Sequence, residues 1–188
     1  MKGLFERGLR LARRADVGDL KVGKLRLVTI LPEMLRAEQE RDPEFVRLRR
    51  LLGARLTQEW PPEHWEPHVL EFILKQYEEH PETLGWHRYV LLGEQKDWTL
   101  VGAVGGFPKP EGDVEIGYST LPEFQRRGLG TAAAKKLVEW LLRRKGVRSV
   151  SAQTFLRLGE SVKVMERCGM VAVGEGDDPE TVRYRRVR

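Results

Sequence analysis

A glycine-containing segment between a predicted strand and a predicted helix has the residue types best suited to binding a ligand. It is the run Gln125-Arg126-Arg127-Gly128-Leu129-Gly130-Thr131. Glycines at a helix start let a ligand approach the backbone closely, and the first N–H groups of a helix have no partner inside it. Because the helix dipole also favours negative charge there, the segment suits a phosphate or pyrophosphate group. The alternative is a tight turn in which glycine serves packing alone.

Two common nucleotide-binding motifs do not fit this segment. A dinucleotide-binding G-x-G-x-x-G needs a third glycine, and Ala133 occupies that position. A Walker loop needs Gly-Lys followed by Ser or Thr, which is also missing.

The elements that must position the segment follow from periodicity. Residues 114–119 alternate in the way that is typical of a strand, and Pro122 ends that strand. Apolar residues then recur at helical spacing until about residue 141, and Gly146 ends the helix. The apolar face consists of Leu129, Ala133, Leu137, Trp140 and Leu141.

The remaining sequence predicts a mixed fold. Helices are expected from about residue 33, after Pro43, at about 66–79 and at about 160–168. A strand at about 147–154 must run parallel to strand 114–119, because a helix crosses between them. The other predicted strands are at about 24–30, 86–92, 98–105, 170–173 and 182–186.

The pattern from Pro122 to Gly130 resembles the acetyl-CoA-binding motif of the GCN5-related N-acetyltransferases, Gln/Arg-x-x-Gly-x-Gly/Ala. Glu115-Ile116-Gly117-Tyr118 and the segment from Ser161 to Met170 resemble the branch that includes the ribosomal-protein N-terminal acetyltransferases. The resemblance covers about residues 24–187.

This resemblance implies an N-terminal extension at 1–22 and a single acetyltransferase domain at 23–188. The implied fold is α/β (α+β), with a mixed, mostly antiparallel sheet of about seven strands, a central splayed parallel pair and flanking helices.

The resemblance also implies acetyl-CoA as the cosubstrate, bound where the two parallel strands separate. The pantetheine arm would follow Ser119, Thr120 and Leu121 like an added strand, and the thioester would lie near Thr154. The pyrophosphate would meet the N–H groups of Arg126, Arg127, Gly128, Leu129, Gly130 and Thr131.

Transfer to an amine requires a base for the amine and a proton for the leaving thiolate. Glu115, close to the position at which relatives carry a glutamate base, is the expected base, and the alternative is a structural carboxylate. Many relatives use a tyrosine as the proton donor, but Met165 stands at that position and Leu158 replaces the preceding asparagine. Ser161, where the ribosomal-protein branch has a serine, is therefore nominated as the donor, and the alternative is a hydroxyl contacting CoA.

Neither the single cysteine nor the histidines suggest another kind of site. Cys168 excludes an internal disulfide, fits a reducing, cytoplasmic location, and is expected in the core. His64 and His68 are four residues apart, but Pro67 lies between them and no metal signature surrounds them. No metal is expected.

The charge is mildly basic, with 33 Lys and Arg against 28 Asp and Glu, or +5. The basic clusters lack interleaved aromatic residues, so nucleic acid is not an expected partner. No apolar run reaches the roughly 18 residues of a membrane span.

Trp60 and Trp65 either line the acceptor groove or brace a proline turn within the core. The leucine-bearing extension 1–22 either packs on the domain or mediates a homodimer.

Two functions are therefore open. One is an acetyl-CoA-dependent N-acetyltransferase that acts on a primary amine, at a protein N-terminus or on a small molecule, by direct attack in a ternary complex. The other is a CoA-binding or interaction module that has kept the fold but lost catalysis, as Leu158 and Met165 would allow.

Overall fold

A nine-stranded mixed sheet runs through the residues that the computed structural model describes, which are 17–40, 43–63, 65–95 and 97–188. In chain order the strands are β1 (Leu20–Val22), β2 (Leu25–Thr29), β3 (Arg55–Leu56), β4 (Arg88–Glu94), β5 (Asp97–Pro108), β6 (Asp113–Thr120), β7 (Ser149–Phe155), β8 (Val171–Glu175) and β9 (Thr181–Val187).

The strand order confirms the predicted mixed sheet. The strands lie in the order β1-β2-β4-β5-β6-β7-β9-β8, and β3 pairs with β5 outside this path. The β6–β7 and β3–β5 pairs are parallel, and the others are antiparallel. Seven strands were expected; the two additional strands, β1 and β3, are too short for an alternating pattern to reveal.

The described residues form five α-helices, which cover the two faces of the sheet. Helices α4 and α5 share one core with the sheet, and α1, α2 and α3 build a second core on the opposite face. The helices are α1 (Pro32–Gln39), α2 (Val46–Leu52), α3 (Pro67–Glu79), α4 (Leu129–Leu141) and α5 (Gly159–Arg167). None of them is long and apolar enough to cross a bilayer.

Strand β5 contributes to both cores, and a bulge that leaves Val101 unpaired with β4 reverses which of its alternating side chains face each core. Val101 and Val104 pack on the side of α4, whereas Leu100 and Ala103 pack on the side of α1 to α3. Successive side chains of a strand point to opposite faces, so a strand buried on both sides is apolar throughout. The predicted extension 1–22 lies mostly outside the described residues, and its last three residues form β1.

A buried carboxylate ties α1 to the segment before α3 and to the sheet. Glu38 is only 3% exposed. One of its oxygens accepts hydrogen bonds from the indole N–H groups of Trp60 at 2.7 Å and Trp65 at 2.8 Å, and the other accepts the Tyr89 hydroxyl at 2.5 Å. Burial raises the pKa of Glu38, and these three hydrogen bonds oppose that shift.

We expect Glu38→Ala to lower the free energy of unfolding by about 3 kcal/mol, because it leaves two buried donors and one half-buried donor without an acceptor. Urea denaturation measures this loss. Glu38→Gln should lose less, since its amide keeps an acceptor for the indoles.

The pH dependence provides a second test of the buried carboxylate. Because the pKa of Glu38 is raised in the folded state above the usual 4.5, the stability from its protonated form is present below that value and lost as pH rises through the raised pKa. The stability of wild type relative to Glu38→Gln should therefore decline across this acidic range. Parallel pH curves for the two proteins would contradict the assignment.

Candidate active site

The parallel strands β6 and β7 separate after only three paired positions. The pairs are Asp113 with Ser149, Val114 with Val150, and Glu115 with Ser151. Strand β6 nevertheless continues to residue 120, and β7 continues to residue 155. The predicted splayed pair is therefore confirmed, with a gap that opens beyond the third pair.

The main chain of β6 presents hydrogen-bonding groups to this gap. The N–H of Leu121 donates to the carbonyl of Val101 at 2.9 Å, so the main chain at Leu121 hydrogen-bonds toward β5. Because an antiparallel ladder alternates, the main-chain groups of Tyr118 and Thr120 point the other way, toward the gap. The carbonyl of Thr120 accepts the Gln125 side-chain amide at 2.9 Å.

The three residues expected beside a pantetheine arm differ in their surroundings. Thr120 lies at the gap. The Ser119 hydroxyl is buried and has no hydrogen-bond partner among the described residues. Leu121 is fully buried, and its carbonyl accepts the N–H of Phe124 at 2.9 Å, so both of its main-chain groups are already bonded.

Helix α4 begins beside this gap with free N–H groups. Gly128 precedes the helix at φ +74°, and no side chain caps this end. The first helical bond runs from the N–H of Ala132 to the carbonyl of Gly128 at 3.0 Å. The N–H groups of Leu129, Gly130 and Thr131 therefore have no acceptor within the helix. The helix start is therefore uncapped, as the prediction of an anion site requires, and the loop before it is exposed.

The two glycines of this loop serve different purposes. A side chain at Gly128 would meet nothing within 4 Å, so this glycine is needed for its left-handed backbone. A Cβ at Gly130 would lie 2.9 Å from the Thr120 hydroxyl, so this glycine lets the helix start close to the end of β6.

Side chains within the loop hold it in shape. Arg127 donates to the carbonyl of Glu123 at 2.9 Å and lies over the ring of Phe124, 5.4 Å from its centroid. Arg126 has a left-handed backbone at φ +60° and is exposed. The side chain of Arg127 thus braces the turn, while Arg126 is turned toward solvent.

Glu115 lies at the point where the gap opens, on the face opposite α4. Its side chain is 17% exposed. It accepts a hydrogen bond from the Gln153 amide at 3.3 Å and lies 3.6 Å from the Lys109 ammonium and 3.9 Å from the Arg183 guanidinium. It lines an open depression of about 300 Å³. The carboxylate is thus accessible from solvent and surrounded by cations.

The neighbouring Asp113 has the surroundings of a structural carboxylate. Its two oxygens accept the hydroxyls of Ser149 and Ser151, both at 2.5 Å, and Arg185 lies 3.8 Å away. It joins β6 to β7 where they are still paired. Glu115 makes no comparable pair of bonds to β7, which leaves it freer to face a reactant.

On the other side of the sheet, Tyr118 joins β6 to α5. Its hydroxyl donates to the carbonyl of Ser161 at 3.1 Å, and burial raises its pKa. Ser161 is half-buried on α5, and Thr154 is half-buried on β7 beyond its last pair with β6. Sequence reasoning did not consider Tyr118 as a donor, although the alternation of the strand places it on the face opposite Glu115.

Cys168 and Met165 belong to the core beside this site. Both are 1% exposed. Burial raises the pKa of the Cys168 thiol to about 11, so the thiol is protonated at neutral pH. Leu158 is exposed and precedes α5 without a side-chain cap.

The aromatic residues proposed for the acceptor side are placed within the fold. Trp60 is 4% exposed, and Trp65 is half-buried against it at a centroid distance of 6.1 Å. With both indoles bonded to Glu38, the geometry fits the alternative of a braced proline turn.

His64 lies outside the described residues, and the described ones form no cluster of three or more potential metal ligands.

Comparisons with known proteins agree with this geometry. The chain is 29% identical over 157 residues to the uncharacterized N-acetyltransferase YjdG of Bacillus subtilis (strain 168). The aligned region covers 81% of this chain and 89% of that protein. Solved structures of acetyltransferases share the fold, among them the following two.

The first is the ribosomal L7/L12 alpha-N-protein acetyltransferase RimL in complex with coenzyme A, with a TM-score of 0.59, 15% identity and coverage of 90% of this chain and 97% of the other. The second is the ribosomal-protein-S5-alanine acetyltransferase of Vibrio fischeri, with a TM-score of 0.59, 16% identity and coverage of 90% and 96%. Residues 34–171 match the acetyltransferase (GNAT) domain, so the chain belongs to the GNAT acetyltransferase family.

Proposed function

We propose that this acetyltransferase transfers the acetyl group of acetyl-CoA to a primary amine by direct attack in a ternary complex. The observation that carries the proposal is the uncapped start of α4 beside the gap between β6 and β7. A helix start attracts a diphosphate, and an open strand edge accepts an extended amide-bearing chain. Coenzyme A has both groups.

The residues at the gap fit this cosubstrate. The N–H groups of residues 126–131 would hold the pyrophosphate, and the free edge of β6 at Tyr118 and Thr120 would bond the amides of the pantetheine arm. Acetyl-CoA supplies a thioester carbonyl, and this chain supplies main-chain donors that would stabilise negative charge on its oxygen. Ser119 and Thr154 lie beside that path.

Glu115 has the surroundings of a base for the amine. It lies at the last position at which β6 pairs with β7, and it lines a solvent-filled depression on the face opposite α4. Its carboxylate lies 3.6 Å from the Lys109 ammonium and 3.9 Å from the Arg183 guanidinium. It would take a proton from the acceptor before attack.

Ser161 remains our proposed donor of the proton that the leaving thiolate needs. The Tyr118 hydroxyl bonds its carbonyl, which places a second hydroxyl close to Ser161. Met165 is buried and cannot donate. Either hydroxyl lies on the α4 face, away from Glu115, so base and donor approach the gap from opposite sides.

The acceptor class remains a primary amine. RimL and the S5-alanine acetyltransferase are named for acting on ribosomal proteins, and this chain shares their fold. We therefore include peptides with free N-termini among the first acceptors to be tested, together with small amines. A cytoplasmic enzyme is expected because both the cosubstrate and the single buried thiol suit a reducing compartment.

We expect Gly128→Ala to weaken CoA binding at least about ten-fold, equivalent to about 1.4 kcal/mol, because alanine disfavours the left-handed backbone that aims the helix N–H groups. Isothermal titration with CoA measures this effect.

Gly146→Ala is the matched control for this variant. Gly146 also has a positive φ, +86°, and a side chain there also meets nothing within 4 Å, but it lies beyond the other end of α4. It should lose similar stability and keep its CoA affinity. Equal loss of affinity in both variants would contradict the anion site.

We expect Glu115→Gln to lower kcat/KM about 100-fold while CoA affinity stays within two-fold, because the amide cannot take the proton of the acceptor. Thiol release from acetyl-CoA with peptides and small amines measures the rate. Glu94→Gln, which also removes a strand glutamate from a lysine ion pair, is the control. An unchanged rate in Glu115→Gln would remove Glu115 from this role, and CoA binding without turnover in wild type would favour the non-catalytic alternative.

We expect Ser161→Ala to lower kcat about 100-fold with an unchanged acetyl-CoA affinity, because the thiolate then leaves unprotonated. Tyr118→Phe should cause a smaller loss, through the position of α5. The reverse order of the two effects would transfer the donor role to Tyr118.

A further inference from the structure

The loop between β8 and β9, residues 176–180, is held against β7 by the Gln153 side chain and by the N–H of Leu156, which donates to the carbonyl of Glu180 at 2.9 Å. The Gln153 side chain accepts the N–H of Asp177 at 2.7 Å and donates to the Asp177 carboxylate at 2.9 Å. A Cβ at Gly176 would lie 2.6 Å from the same glutamine oxygen, so the loop packs closely against it. The loop is therefore attached to β7 through Gln153.

The same glutamine reaches across the gap to β6. Its amide also donates to Glu115 at 3.3 Å. Gln153 lies two residues beyond Ser151, the last residue of β7 that pairs with β6. Its side chain thus links the two strands just after their main-chain pairing ends.

A primary amide is suited to this position because it is neutral and has two N–H donors and one acceptor. Gln153 donates to two carboxylates and accepts one main-chain N–H. A carboxylate at this position would repel both Glu115 and Asp177. The hydrogen bond from Gln153 is the main reason that the pKa of Asp177 is lowered, with Arg183 contributing.

The charged groups around Glu115 come from β6, from β9, from the segment before β6 and from the loop between β8 and β9. Lys109 lies before β6, and Arg183 of β9 is in register with Gln153. Arg183 also pairs with Asp177 at 2.6 Å. The remaining charged residues that line the depression are Glu111, Asp113 and Arg185.

We propose that Gln153 is a positioning residue, which orients the Glu115 carboxylate at the gap and fixes loop 176–180 as one border of the acceptor site. This inference rests on the proposed role of Glu115 as the base. Gln153 itself does not take part in proton transfer. Its effect on the reaction comes through the orientation of Glu115 and through the electrostatic surroundings of that carboxylate.

The test compares Gln153→Glu with wild type across pH, using acetyl-CoA and the fastest acceptor from the peptide and amine panel. The acid limb of kcat/KM should move to higher pH by about one unit, because a second carboxylate near Glu115 disfavours its charged form. Gln95→Glu, the same substitution in the exposed β4–β5 turn, should leave the profile unchanged.

Gln153→Ala provides a second variant that adds no charge. Its kcat should fall about ten-fold, its CoA affinity should stay within two-fold, and its acid limb should move less than that of Gln153→Glu, because only a hydrogen bond is lost and no charge is added. Amide hydrogen exchange by NMR should show exchange at Asp177 at least about ten-fold faster, since that N–H loses its acceptor. This exchange measurement needs no acceptor substrate.

The outcomes separate this inference from the proposed function. If Glu115→Gln keeps the full rate, both the base assignment and the positioning role are wrong. If Glu115→Gln loses activity but Gln153→Glu keeps the wild-type acid limb and Gln153→Ala keeps its kcat, only the positioning role is wrong. Unchanged exchange at Asp177 in Gln153→Ala would also overturn it, because the loop would then be fixed by other contacts.

Discussion

The separation of two parallel strands in the middle of a sheet is the constraint on which this structure depends. Strands β6 and β7 pair at three positions and then diverge, while each keeps a continuous antiparallel ladder with its outer neighbour, β5 or β9. Each half of the sheet therefore remains hydrogen-bonded, and only the inner edges are open. Main-chain groups left in such a gap need partners, and water or an extended ligand can supply them.

The core under the gap fixes where α4 begins. Leu137 and Leu141 of α4 are fully buried against the sheet, which sets the direction of the helix. At its first turn Gly130 lets the backbone approach Thr120 at the end of β6. The free N–H groups of the helix and the free edge of the strand consequently lie side by side. Neither feature alone would specify a ligand, but together they suit one that is anionic at one end and amide-bearing along its length.

Much of this arrangement follows from local sequence rules. Proline and glycine mark the end of β6 and the start of α4, and alternation assigns Glu115 and Tyr118 to opposite faces. The helix that crosses from β6 to β7 requires them to be parallel. These inferences need only residues that are close in sequence. That β6 and β7 separate is predicted by the resemblance to the family motif and not by these local rules.

Side-chain partners that are distant in sequence could not be predicted in this way. Glu38 meets Trp60, Trp65 and Tyr89 across 22, 27 and 51 residues, so local sequence could not decide between a core and a groove for the two tryptophans. Gln153 meets Glu115 across 38 residues and has no motif of its own. The short strands β1 and β3 could not be predicted either, because they are defined by pairing with β2 and β5 and not by a pattern of their own.

The two-residue period of a strand also suggests why this fold suits a transfer that needs both a base and an acid. Glu115 and Tyr118 are three residues apart on β6, so they point to opposite faces of the sheet. In the reaction that we propose, the acceptor amine would meet Glu115 on one face of the sheet, and the thiolate would meet the hydroxyls near Ser161 on the other face. A buried methionine at position 165 is compatible with this division, because the proposed donors are the hydroxyls of Ser161 and Tyr118, which lie on α5 and β6.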